Sequence, residues 1–123
     1  MDVLELFGKE LIEKVRDPTI QDWDSIVDKK SKGITAKAVQ EKLTSFTDEQ
    51  LDVMRWIIPK IVDTSMHNFL CMLESSKTFD LKVKTKDGIV ERLQDESDGL
   101  YGELYTKNGW IMKFSKQRYE ELY

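Results

Sequence analysis

The sequence contains a single cysteine and two prolines, and it has no long apolar run. One cysteine cannot form an internal disulfide bond, so the fold does not depend on oxidation, which fits a reducing cytoplasm. No apolar segment approaches the roughly 20 residues that a membrane span requires. The N-terminal stretch MDVLELFGKELIEKV has neither the basic start nor the apolar core of a signal peptide. We therefore predict a cytoplasmic protein that does not associate with membranes.

Short motifs that mark common active sites are also missing. The sequence has no GxxxxGKS/T loop, no GxGxxG turn, no HExxH and no GxSxG. Their absence argues against a phosphate-binding loop, a dinucleotide site, a zincin site and a nucleophile elbow. The net charge is −4 and the isoelectric point is near 5.1, whereas a protein that binds a phosphate backbone needs a positive face. These features argue against nucleic acid as a partner.

Length and composition are sufficient for one core. The chain has 123 residues, of which 40% are hydrophobic and 10% aromatic. A chain of this size buries roughly two-thirds of its surface without disulfide or metal staples. We predict a single domain over residues 1–123. Within it, residues 1–76 are expected to be helical, and residues 77–123 to hold an antiparallel sheet and a short terminal helix.

Apolar residues recur at intervals of three and four along the first part of the chain, as they do in amphipathic helices. This spacing predicts a helix over residues 2–16. The helix is expected to end at Asp17, because a residue that precedes proline disfavours helical angles. A second helix is predicted over residues 19–29. A third is predicted to begin at Thr35, whose side chain can cap it.

The strongest helix start in the sequence is TDEQ, in which Thr47 and Gln50 have the spacing of a capping box. The helix that begins there is predicted to run to about Ser75, with a kink or a break at Pro59. At about 100° per residue, its apolar side chains cluster on one face. The residues predicted to face the core are Leu51, Ile58, Val62, Ser65, Phe69 and Leu73.

From residue 77 onwards, apolar residues alternate with polar ones, as they do in strands with one buried face. Strands are predicted at 79–85, 89–94, 100–106 and 110–115, with hairpin turns at KDG and KNG. Helices followed by an antiparallel meander indicate the α+β class. We therefore predict N-terminal helices, one of them long and kinked by proline, packed on a C-terminal antiparallel meander of three or four strands.

Asp63, His67 and Cys71 follow one another at intervals of four and would form a stripe on the long helix. Such a stripe could serve a thiol-dependent hydrolase, in which a histidine activates the cysteine. However, the stripe is predicted to lie opposite the core face, and Cys71 lies late in the helix, where the dipole disfavours a thiolate. A zinc site would need two further ligands. We therefore predict no catalytic residue and no metal site, and we expect Cys71 to be a packing residue.

An acidic turn, DESDG, is followed by two tyrosines. The register of the turn does not match a calcium-binding EF-hand loop. Tyr101 and Tyr105 are predicted on the strand face opposite Leu100 and Leu104, and tyrosine is favoured in protein interfaces. The residues predicted to bind a partner are Asp95, Glu96, Asp98, Glu103, Tyr101 and Tyr105.

Together these features predict a small non-enzymatic protein-binding domain without a cofactor. A concrete form is an immunity or antitoxin-like protein, which neutralises a basic enzyme by covering its cleft with a negative patch. Charge complementarity would speed that encounter. The alternatives are the hydrolase that uses Asp63, His67 and Cys71, and a small-ligand binder with a site between helices and sheet. A homodimer is left open. The general build is that of many small bacterial proteins.

Overall fold

A computed structural model describes residues 1–122. Helix α1, Val3–Leu11, begins at Asp2, whose side chain accepts a hydrogen bond of 2.8 Å from a first-turn amide. The chain then continues through a π-helical turn, Ile12–Arg16, directly into helix α2, Asp17–Val27. The predicted end of the first helix at Asp17 is therefore wrong.

The π-helical turn explains how Pro18 is accommodated. The amide of Asp17 donates to the carbonyl of Ile12, five residues back, so the backbone is wider at this point than in an α-helix. A proline inside a helix normally clashes with the carbonyl four residues back and cannot donate to it. Pro18 instead lies in the first turn of α2, where the missing donor costs least.

Two further helices complete the N-terminal part. Helix α3 is Ile34–Lys42, and helix α4 is Asp48–Ser75, with 28 residues. The capping box is confirmed, because the amide of Gln50 donates to the hydroxyl of Thr47 (3.2 Å) and the amide of Thr47 donates to the side chain of Gln50 (2.8 Å). Helix α4 runs through Pro59 without a break. Among residues 1–122, none of the helices combines the length and apolarity that crossing a bilayer requires.

Only part of the predicted core face of α4 is buried. Ser65 and Phe69 are exposed, and Met66 and Leu70 are buried in their place. The core face is thus rotated by roughly 40° from the predicted one, at about 100° per residue. The rotation arises because the C-terminal part of the chain packs on the Met66 and Leu70 side of the helix. The predicted core residues that are buried are Ile58, Val62 and Leu73.

The α+β class is confirmed, but the sheet is smaller than predicted. Strands β1, Val83–Thr85, and β2, Gly88–Val90, form one antiparallel hairpin. A 3-10 turn, Leu93–Glu96, follows it. The predicted strands at 100–106 and 110–115 are wrong, because these segments contain a 3-10 helix, Leu100–Leu104, and helix α5, Trp110–Phe114.

The spacing of apolar residues explains this error. Leu100 and Leu104 lie four positions apart, a spacing that fits one face of a strand and one face of a helix equally well. Both are fully buried, as predicted, and they join a core cluster with Leu70. Residues 116–122 have no regular secondary structure, so the predicted terminal helix is not formed in them. Position 123 lies outside the described residues.

Candidate functional site

In the part of the chain that the structure describes, Arg16 is the one charged residue that is buried. It lies in the π-helical turn, and its Nε and Nη2 donate to the two carboxylate oxygens of Asp63 at 2.6 and 3.2 Å. Nη1 donates to the hydroxyl of Ser115 (2.8 Å), and Nη2 also donates to the carbonyl of Arg118 (3.0 Å). The guanidinium is therefore neutralised by a carboxylate and held on several sides.

The C-terminal segment, defined here as residues 115–122, is attached to α2 by the same network. The hydroxyl of Ser115 donates to the carboxylate of Asp17 (2.6 Å). Further along, the guanidinium of Arg118 pairs with the carboxylate of Asp24 at 2.7 and 2.9 Å. These bonds place the ring of Tyr119 with its centroid 5.5 Å from the guanidinium carbon of Arg16. A buried cation in α1–α2 thus positions the end of the chain.

The stripe of Asp63, His67 and Cys71 does not form a catalytic line. The carboxylate of Asp63 accepts a hydrogen bond from Arg16. The Nδ1 of His67 lies 2.8 Å from the hydroxyl of Tyr105. All three residues of the stripe are half-buried, so the prediction that they lie opposite the core is wrong. Cys71 is a free thiol. With the carboxylate and the imidazole bonded elsewhere, the geometry does not support activation of the cysteine by histidine.

We expect alkylation of Cys71 by iodoacetamide to be slow at about pH 6 and unchanged by His67→Ala. The imidazole already bonds to Tyr105, and the thiol lies near the C-terminal end of α4, where the helix dipole does not favour a thiolate. Mass spectrometry of the native protein would give the labelling rate, with N-acetylcysteine amide as the reference. Rapid labelling that disappears in His67→Ala would contradict this expectation and favour the hydrolase hypothesis.

A groove of about 560 Å³ opens beside Asp63 and His67. Helix α4 forms one wall, and the C-terminal segment forms the other. The ring of Tyr101 packs against His67, with centroids 4.9 Å apart, next to the groove. We call this cavity the tyrosine groove. Its aromatic and acidic lining residues are Asp63, His67, Tyr105, Tyr119, Glu120 and Glu121.

The tyrosine groove has a negative character. The carboxylate of Glu121 accepts hydrogen bonds from the hydroxyl of Tyr119 (2.9 Å) and from the amide of Thr106 (2.8 Å). Burial raises the pKa of the Tyr105 phenol, and the nearby carboxylate of Asp63 raises it further. Burial and the hydrogen bond to Glu121 also raise the pKa of Tyr119 far above its ordinary value. Burial disfavours any charged form, so only the smaller contributions of the Asp63 and Glu121 carboxylates to these raised pKa values indicate a negative environment.

The structure divides the predicted partner-binding residues into two groups. Tyr105 lines the tyrosine groove, whereas Tyr101 does not line it but packs against His67, which does. In the acidic turn, Asp95 accepts from Arg92 (2.5 Å), so part of its charge is neutralised within the chain. Glu103 accepts from the hydroxyl of Ser97 (2.9 Å). The two remaining carboxylates of the turn are exposed, and they belong to Glu96 and Asp98.

Sequence reasoning missed Arg16, Tyr119, Glu120 and Glu121. One signal was present, because Arg16 lies between Ile12 and Ile20 at intervals of four. A charge inside an apolar stripe indicates a buried ion pair.

A second groove, of about 440 Å³, lies between α2 and α4 and is apolar. Trp23, Ile61 and Phe69 line it and are all exposed, Ile61 by 59%. Since α4 also lines the tyrosine groove, the two cavities lie on either side of the exposed face of this helix. Exposed apolar groups gathered in one place are typical of interaction surfaces.

The chain matches no protein-family model, no curated protein and no solved structure. Within residues 1–122, no three side chains of the kinds that bind metals come together in a way that could hold an ion. The geometry of the tyrosine groove is therefore the main basis for a functional hypothesis.

Proposed function

We propose that this protein is a non-enzymatic binding domain for a basic protein partner, of the immunity or antitoxin kind. The observation that carries the proposal is the tyrosine groove, in which the rings of Tyr105 and Tyr119 lie beside the carboxylates of Glu120 and Glu121. Tyrosine is enriched where binding energy concentrates in protein interfaces. A surface that combines it with carboxylates suits a partner that presents cations.

Two features of the surrounding surface support the same function. The net charge of −4 would accelerate the approach of a basic protein. The exposed apolar residues on the other side of α4, which include Trp23 and Phe69, add surface of the kind that anchors an interface. A partner that contacts the exposed face of α4 could reach both cavities. We also propose a cytoplasmic location, where the free thiol of Cys71 would stay reduced.

The test is binding to the protein encoded by the neighbouring gene, purified and measured by calorimetry and by inhibition of its activity. Glu120→Gln combined with Glu121→Gln should weaken the complex by about tenfold, because two carboxylates no longer meet the partner's cations. The matched control is Glu41→Gln combined with Asp87→Asn, which removes two exposed carboxylates from α3 and from the hairpin turn. The control pair should leave the affinity unchanged.

The acidic turn is tested in the same assay by a separate variant. Its four carboxylates are changed to amides together, at Asp95, Glu96, Asp98 and Glu103. Weaker binding by this variant would extend the contact surface to the turn, and unchanged binding would restrict it to the groove. If the neighbouring protein does not bind, or if the groove variant and the control variant bind equally well, the proposed function is wrong.

A further inference from the structure

The exposed side of α4 between Lys60 and Glu74 carries only apolar and neutral polar side chains, and we infer that it packs against the same side of a second copy of this chain. The two α4 helices would run antiparallel about a two-fold axis. We call this surface the neutral face, and its residues are Ile61, Thr64, Ser65, Asn68, Phe69 and Met72. The inference stands apart from the proposed function, because it concerns the isolated protein. A basic partner that contacts the same face would have to displace the second copy.

The neutral face has no charge, although charged residues make up 34% of the chain. The sequence between Lys60 and Glu74 contains one charged residue, Asp63, which is half-buried and paired with Arg16. Two molecules that each carry a net charge of −4 repel one another. A face without carboxylates is therefore a surface through which a second copy can approach at low electrostatic cost.

The apolar surface that is open here approaches the size that a dimer needs. Val15 and Trp23 extend the neutral face across the groove of about 440 Å³, and Phe79 extends it beyond Met72. The large apolar side chains of this surface are 37–59% exposed, and they belong to Val15, Trp23, Ile61, Phe69, Met72 and Phe79. If each presents roughly 150–250 Å² when free, as aromatic side chains do, the six leave on the order of 500 Å² open. That is more than half of the roughly 800 Å² that each partner buries in a stable complex.

The spacing of residues along the face fits an antiparallel pair of helices. Four residues, Ile61, Ser65, Asn68 and Met72, follow one another at intervals of four, three and four, which is the spacing of a helix–helix seam. They span about 17 Å along the helix axis. Because the order of the intervals is symmetric, an antiparallel second copy would place its Met72 opposite Ile61 and its Asn68 opposite Ser65.

The polar side chains at the centre of this seam can be buried without losing hydrogen bonds. The hydroxyl of Ser65 donates to the carbonyl of Ile61 (2.9 Å), and the hydroxyl of Thr64 donates to the carbonyl of Lys60 (2.8 Å). The Ser65 oxygen keeps lone pairs that can accept from the Asn68 amide of the second copy. Such a pair would fix the register of the helices, because a shift along the axis would leave a buried amide without a partner.

Analytical ultracentrifugation of the isolated protein tests the dimer. We expect a monomer–dimer equilibrium with a dissociation constant on the order of 1–100 µM, since the interface is at the small end of the usual size range. Ile61→Glu should raise this constant by at least about tenfold, because it places two carboxylates in an apolar interface. The matched control is Ile34→Glu, which introduces the same charge at an isoleucine that is 92% exposed on α3, outside the neutral face. The control should dimerise as the unmodified protein does.

A pair of charge variants tests the antiparallel arrangement. Ser65→Glu and Asn68→Lys should each weaken self-association by about tenfold, because like charges of the two copies would meet near the two-fold axis. An equimolar mixture of the two variants should recover most of the affinity, because the carboxylate introduced in one chain faces the ammonium introduced in the other. Circular dichroism of each variant would confirm that the fold is intact.

Three results would overturn the inference. The unmodified protein could remain monomeric far above the expected dissociation constant, or Ile61→Glu and Ile34→Glu could dimerise equally well; either result would assign the neutral face to a different occupant. A mixture that associates no better than its two components would exclude the antiparallel arrangement. All of these measurements use the isolated protein, so their outcome is independent of whether the neighbouring protein binds.

Discussion

Replacing Arg16 by methionine should lower the free energy of unfolding by about 3–5 kcal/mol, the loss that follows when one partner of a buried ion pair is removed. The guanidinium is fully buried and bonds to Asp63, to Ser115 and to the carbonyl of Arg118. Methionine occupies much of the same space, but it leaves the Asp63 carboxylate, whose side chain is only 14% exposed, without its cation. Urea denaturation followed by circular dichroism would measure the loss.

Two controls separate the buried charge from other effects. Lys14→Met removes an exposed cation that pairs with Glu10 on the surface of the same helical region, and it should change stability little. Combining Arg16→Met with Asp63→Leu should recover part of the loss, because apolar replacement of both partners removes the unpaired charge. If Arg16→Met cost less than about 1 kcal/mol, or if the double variant were no more stable than the single one, our account of this pair would be incorrect.

The same substitution should loosen the C-terminal segment. The guanidinium of Arg16 donates to the hydroxyl of Ser115 and to the carbonyl of Arg118, and it lies over the ring of Tyr119. Without the guanidinium, we expect faster amide hydrogen exchange in residues 115–122, and weaker binding at the tyrosine groove, of which this segment forms one wall.

Gly8→Ala should also destabilise the protein, by about 1–3 kcal/mol or more, although alanine usually stabilises a helix relative to glycine by about 1 kcal/mol. A Cβ at Gly8 would overlap the indole ring of Trp110. That ring is 2% exposed and is held by an edge contact with Phe7. Because the ring is rigid and enclosed, it cannot move aside without disturbing the core. Thermal and urea denaturation would show the effect.

The control is Gly102→Ala, since a Cβ at that position would meet no atom within 4 Å. It should change the free energy of unfolding by less than about 0.5 kcal/mol. A double variant with Trp110→Leu should be less destabilised than the sum of the two single variants, because the smaller side chain removes the overlap. A stabilised Gly8→Ala protein would mean that helix propensity outweighs the overlap at this position.

Features whose cause lies within a few residues could be predicted from the sequence. The start of α4 depends on Thr47 and Gln50, three positions apart, and their reciprocal bonds are present. The hairpin of β1 and β2 depends on the turn between them. The burial of Leu100 and Leu104 followed from their apolar side chains and common phase. None of these features needs a distant partner.

The backbone state of the segments that contain Leu100 and Trp110 could not be predicted in this way. Apolar residues four apart line one face of a strand or of a helix. A strand also requires a neighbouring strand for its backbone hydrogen bonds. In the structure, these segments form their bonds internally, as a 3-10 helix and as α5. The 3-10 helix packs against α4, and α5 packs against α1 and the π-helical turn.

The sequence by itself determined the class of the fold, the start and end of α4, and the presence of Asp63 and His67 on the same helix. Only the tertiary structure decided their partners. Asp63 bonds to Arg16, 47 positions away, and His67 bonds to Tyr105, 38 positions away. These pairings depend on how far α4 is rotated about its axis against the other elements. Local spacing carries no information about that rotation, because it is set by the packing of the whole core.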